Sequence, residues 1–291
     1  MPAVDALAAG LVASRAVAVG ALFVIFGTLM VATAIAGPTI GDGVANLHRG
    51  FATLIRGAFL AAILGIGLWT GLQTAALAQT VGAGDTLARV PTVVFHTDFG
   101  RLMLLRLALL AAIGLALAAG RPRSAALFAG LAAVVQAGHL HALAIWHGPS
   151  LLLASEVLHV LAAATWLGSL PALLVVVITV PPGSAMAAVR RFAFIGSGAV
   201  LTVGATAAFQ AISLAGDPLS LAATAYGRMC LAKLVLLGLL VALALRNQWR
   251  LRRGADAVPG LGGSIRTALM LAALVLTLAA ILSAMAPPSE A

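Results

Sequence analysis

The sequence predicts an all-α, polytopic membrane helix bundle of about eight transmembrane helices, and three observations carry that reading. Of 291 residues, 62% are hydrophobic and only 9% are charged, whereas a soluble domain carries roughly 25% charged residues. Apolar runs recur along the chain at the length of about 20 residues that a bilayer-crossing helix needs. The breaks between these runs hold turn chemistry, among them Gly37-Pro38, Arg121-Pro122-Arg123, Pro181-Pro182-Gly183 and Gly216-Asp217-Pro218. Alternating strands of the kind found in membrane β-barrels are not visible.

The apolar runs cover 11–36, 51–79, 100–119, 124–146, 151–180, 190–214, 227–247 and 265–286, all within a single transmembrane domain over 1–291. The fourth and fifth are the least separated, so seven or nine spans remain open. The longest outer connection is expected from Thr80 to Phe99. Asp5 precedes the first run and no early Lys or Arg does, so that run lacks the basic start of a secretion signal and is expected to stay as a helix.

Lys and Arg set the expected orientation. Alternate connections hold Arg49, Arg56, Arg121, Arg123, Arg190, Arg191, Arg246, Arg250, Arg252, Arg253 and Arg266. The positive-inside rule makes that side cytoplasmic and both termini periplasmic. The net charge of +9 is then accounted for by orientation and by contact with anionic lipid. No nucleic-acid partner is expected. The single cysteine, Cys230, excludes an intrachain disulfide.

An internal repeat is visible. Thr97-Asp98-Phe99-Gly100-Arg101, followed by Arg106, recurs as Thr224-Ala225-Tyr226-Gly227-Arg228, followed by Lys233. Gln73 and Gln210 form a second match. The repeat, over 1–120 and 150–250, suggests two parallel four-helix halves. It aligns Met103 with Cys230, two soft sulfur ligands suited to Cu(I), although Met and Cys are also ordinary apolar helix residues.

Polar side chains inside lipid are functional candidates. His96, His139, His141, His147 and His159 all fall toward the expected outer face. At 1.5 Å per residue, His139 and His159 sit at a common depth of roughly 10–13 Å. Two imidazoles at one level suit a metal ion or the axial positions of a haem; an interhelical hydrogen bond is the plainer alternative. His139 and His141 point about 200° apart. Glu156 shares a face with His159 and Trp166 and suits orienting the imidazole or binding a cation. Arg101, Arg106, Arg228 and Lys233 lie on the expected outer side, where pairing with Asp98, Asp217, Asp85 or Glu156 is the expected role. No nucleotide-binding loop, Cys-x-x-Cys or catalytic triad appears, so the chain is not read as an enzyme.

The run Gln136 to His139, then Leu158-His159 through Trp166-Leu-Gly168-Ser-Leu170, resembles the bacterial CopD-type copper resistance family. So do Arg191-Phe192, Tyr226-Gly227-Arg228 with Lys233, and Arg246-Asn247-Gln-Trp249-Arg250. The resemblance is strongest over 124–250. It implies an inner-membrane, eight-helix protein that moves copper across the membrane, often with a small periplasmic CopC-type copper-binding protein. The positions it carries over are His139, His159, Trp166, Arg228 and Lys233. Met103, Cys230, His141, Glu156 and His96 are added on ligand chemistry. Inward copper transport is the leading expectation. A bis-histidine haem protein and a copper-delivery assembly factor are the alternatives.

Overall fold

A computed structural model describes residues 2–40, 45–80, 82–139, 150–215 and 224–285. Helix α1 spans Pro2–Met30 and runs on through a wider turn at Val31–Ala36 into α2, Gly37–Ile40. The break expected at Gly37-Pro38 is therefore a change of helical pitch. Helix α3 (Ala45–Ala78) follows, then α4 (Ala83–His96), α5 (Asp98–Ala118) and α6 (Pro122–Val134), which tightens at Val135–His139. Beyond these lie α7 (Ser150–Leu167), α8 (Leu170–Thr179), α9 (Pro182–Ala215), α10 (Ala225–Leu251) and α11 (Leu261–Leu282).

Seven helical segments among the described residues are long and apolar enough to cross a membrane. The eighth expected span, 124–146, is described only as far as His139, so its outer part lies outside the described residues. Large apolar side chains point outward along the spans, including Leu60, Leu64 and Leu68 on α3 and Leu231, Leu234 and Val235 on α10. In water such a belt would drive aggregation; around a bundle it is the face that lipid covers.

The expected long connection from Thr80 to Phe99 contains a helix. On α4, Thr86, Val90 and Val93 turn inward, Leu87, Pro91 and Phe95 form an exposed apolar stripe, and Asp85, Arg89 and Thr92 form a polar one. Alternation of polar and apolar residues at helical spacing, rather than a long apolar run, produces this element.

Helix packing follows the same plan twice. α1 pairs with α3 as α7 pairs with α9, and α5 pairs with α6 as α10 pairs with α11. Helices α5 and α10 begin identically. The Thr97 hydroxyl accepts from the Gly100 amide at 3.0 Å, and the Thr224 hydroxyl accepts from the Gly227 amide at 3.0 Å. Each satisfies an amide that the first helical turn leaves without a partner.

The groups of helices meet where α1 crosses the junction of α7 and α8. The expected span 151–180 is interrupted there, at Gly168 and Ser169. A β-carbon on Gly27 would overlap the Gly168 carbonyl and the Ser169 amide; one on Gly168 would overlap the Phe23 carbonyl. The Ser169 hydroxyl donates to the Gly27 carbonyl at 3.3 Å. Backbones touch because both positions lack a side chain, which is how helices gain contact area where lipid removes the hydrophobic driving force. Replacing Gly27 or Gly168 by Ala is expected to lower stability in detergent by about 1–3 kcal/mol or more. Gly57→Ala, where a β-carbon meets nothing within 4 Å, is the control and should leave the thermal midpoint unchanged.

Candidate functional site

Two groups of polar side chains sit inside the spans. The first is built by α1, α3, α5 and the turn after α6. Arg106, eight residues into α5, is fully buried, about 12 Å along the helix. Its Nη2 donates to Gln136 Oε1 at 2.5 Å and its Nη1 to the Met103 sulfur at 3.9 Å. Its guanidinium carbon lies 5.2 Å from the centroid of the Trp69 ring. Arg15, from α1, lies 5.0 Å from the same ring, and its Nη1 reaches the Ser283 carbonyl at 3.4 Å. Ser283 caps the end of α11, where backbone carbonyls gather negative potential. Phe99 meets Trp69 edge-on at 5.7 Å.

This arrangement differs from the carboxylate pairing expected for Arg106. A neutral amide and an aromatic face hold the guanidinium instead, and its Nε has no hydrogen-bond partner among the described residues. Aromatic faces attract cations most strongly where water is absent, and a planar guanidinium can stack and donate at once. Trp69 and Arg15 were not singled out in the sequence. The signal was present for Arg15, a charge well inside the first apolar run; a lone Trp in a span carries none.

The second group is built by α7, α9 and α10. His159 and Glu156 share one face of α7, as their spacing requires. His159 Nδ1 lies 2.9 Å from the Thr206 hydroxyl. That hydroxyl has one proton, and it donates to the Thr202 carbonyl at 2.6 Å. With that proton so used, its oxygen accepts from His159 Nδ1, the tautomer in which Nε2 carries the lone pair; the ring also interacts with the Val203 backbone. Lys233, on α10, lies within electrostatic reach of Glu156, His159 and Cys230, and Tyr226 within reach of Glu156 and Cys230. Gln210 Nε2 donates to Ser155 Oγ at 3.3 Å, tying α9 to α7 beside the histidine. Thr206 was invisible in the sequence because one Thr in an alanine-rich helix looks like any other.

The remaining expected residues are dispersed. Met103 is buried beside Arg106, not with Cys230. Trp166 is buried in the core beside Phe192 and Gly196. His96 lies exposed on α4, with Nδ1 3.2 Å from the Thr92 carbonyl. Arg101 makes an exposed ion pair with Asp98 at 3.4 Å, as expected, while Arg228 is exposed at the start of α10. His141 and His147 lie outside the described residues, as does the His139 side chain. Among the described residues no group of three or more His, Cys, Asp or Glu stands ready to hold a metal ion.

A multi-pass helical membrane protein with polar groups gathered in its spans is the class that fold and site define. Within that class, a family model described as copper resistance protein D matches residues 186–285. A second, described as the copper resistance protein D-like N-terminal domain, matches residues 4–148. The chain belongs to the copper resistance protein D family. No curated protein and no solved structure matches it.

Because Gln136 is the acceptor for a buried cation, Gln136→Leu should cost roughly 1.5–3 kcal/mol of stability. Met103→Leu, which keeps the volume and loses a weak sulfur contact, should cost under about 1.5 kcal/mol. Thermal unfolding of the purified variants in detergent checks both.

Proposed function

We propose that this protein moves copper through the membrane from the periplasm to the cytoplasm, with His159 as the ligand that receives it. The observation that carries the reading is the hydrogen bond from His159 Nδ1 to Thr206. Metal-binding histidines characteristically donate their second ring nitrogen in this way, fixing the ring and its tautomer. Glu156 supplies negative charge next to it, and Cys230 a sulfur suited to Cu(I). Lys233 is the counter-charge to Glu156, and a copper ion entering the group competes with that ammonium for the carboxylate.

Family membership supports copper as the cargo. His139, at the end of the α6 segment, remains the proposed second imidazole, and His141 a further donor. Met103 is left out of the path, because the guanidinium beside it opposes a second cation. The Arg-rich connections support a cytoplasmic assignment for that side of the inner membrane, and both termini and the approach to His159 are then read as periplasmic. A small periplasmic CopC-type protein is the proposed donor of copper. The matching helix pairs and helix starts support descent of the two halves from one four-helix unit. The protein is read as a carrier and not as an enzyme.

Cells producing His159→Ala should accumulate copper no faster than cells without the protein, as measured by elemental analysis. Thr206→Val should weaken copper binding by about 10–100-fold, the usual cost of losing the group that orients a ligand. Uptake unchanged in His159→Ala would sink the assignment. Purified protein should carry copper and show no Soret band.

A further inference from the structure

A second, unrelated site lies at the arginine-rich end of the bundle. Residues Arg190 to Ser197 of α9 and the last turn of α10 line a cleft of about 390 Å³ there. Arg190 and Arg252 stand on its two sides, one from each helix. Its floor is polar, since Gln248 Nε2 donates to Ser197 Oγ at 2.8 Å. Ala193, Phe194 and Leu251 make the apolar wall. No acidic residue lines it.

We infer that this cleft binds the headgroup of an anionic phospholipid. Two arginines lining one cleft from different elements, with no carboxylate among the lining residues, are complementary to a phosphodiester. Arginine forks onto phosphate oxygens with two parallel hydrogen bonds. A free anion would need nothing more. The apolar wall and its position point to lipid instead. Phe194 is 83% exposed and Trp249, on the adjoining turn, 70% exposed, so both lie against the bilayer and not in the bundle. An aromatic ring at the headgroup level is a membrane-interface anchor. Acyl chains attached to a phosphate held by Arg190 and Arg252 would continue along Phe194 into the hydrocarbon. Basic clefts between transmembrane helices at the cytoplasmic side commonly hold anionic headgroups in this way.

The ligand would sit over the Gln248–Ser197 hydrogen bond that joins α10 to α9. It would thereby brace α10, the helix that carries Cys230 and Lys233, against α9, which carries Thr206. The cleft does not depend on the copper assignment, since none of its residues belongs to the His159 group.

The test uses the full chain in nanodiscs, with lipid retention read by native mass spectrometry. Phosphatidylglycerol should be retained in preference to phosphatidylcholine. The double variant Arg190→Gln/Arg252→Gln should weaken that retention by roughly 30-fold, two surface guanidinium contacts' worth. Arg121→Gln/Arg123→Gln removes the same charge from another connection of the same face and should leave retention unchanged. Equal loss in both double variants would reduce the effect to general surface charge and overturn the site. Displacement of phosphatidylglycerol by millimolar inorganic phosphate would also overturn it, because the site would then be one for a free anion.

Discussion

Hydrocarbon offers no hydrogen-bonding partner to a peptide group or a side chain, and the architecture follows from meeting that demand internally. The backbone meets it by helix formation along nearly every described segment. Threonine and serine hydroxyls turn back onto carbonyls of their own helices, as Thr70, Thr74, Thr165 and Thr179 do. Side chains that cannot turn back must converge from different helices. That is why Arg106, Gln136, Trp69 and Arg15 come together from four separate segments. It is also why Glu156, His159, Thr206 and Lys233 come together from three.

The two polar groups occupy corresponding places in a packing plan used twice, yet they have opposite chemistry. The first offers two guanidinia, an amide and an aromatic face, and repels cations. The second offers an imidazole, a carboxylate and a thiol. Under the proposed transport role, a cation would be directed toward α7, α9 and α10. Under the proposed duplication, one group would keep ligand chemistry while the other becomes a buried brace.

The contact between Gly27 and Gly168 relates the groups to each other. It sets backbone on backbone at the place where α7 gives way to α8, so α1 has little freedom to slide along that junction. His159 lies nine residues before that junction on the same helix, and its position relative to α9 inherits the rigidity of the crossing. The proposed phospholipid cleft lies toward the other end of α10, where Gln248 ties it to Ser197 of α9.

The sequence by itself determined the class of fold. Runs of about 20 apolar residues admit few structures other than membrane helices, because uncompensated peptide groups in lipid are too costly. The matched helix starts at Thr97 and Thr224 and the family were legible for similarly local reasons. The interruption at Gly168, the helix within 80–99 and the continuity past Gly37 were not, since each depends on what packs against the segment. The site was half legible. His159 and Glu156 stand out as polar residues in an apolar run, and their shared face follows from helical spacing. Only the tertiary structure decided that Thr206 accepts from His159, that Arg106 turns to Gln136 and not to a carboxylate, and that Met103 and Cys230 serve different groups. Those partners lie on other helices, 30 or more residues away in sequence, and a pattern within one helix carries no information about which neighbour will face it.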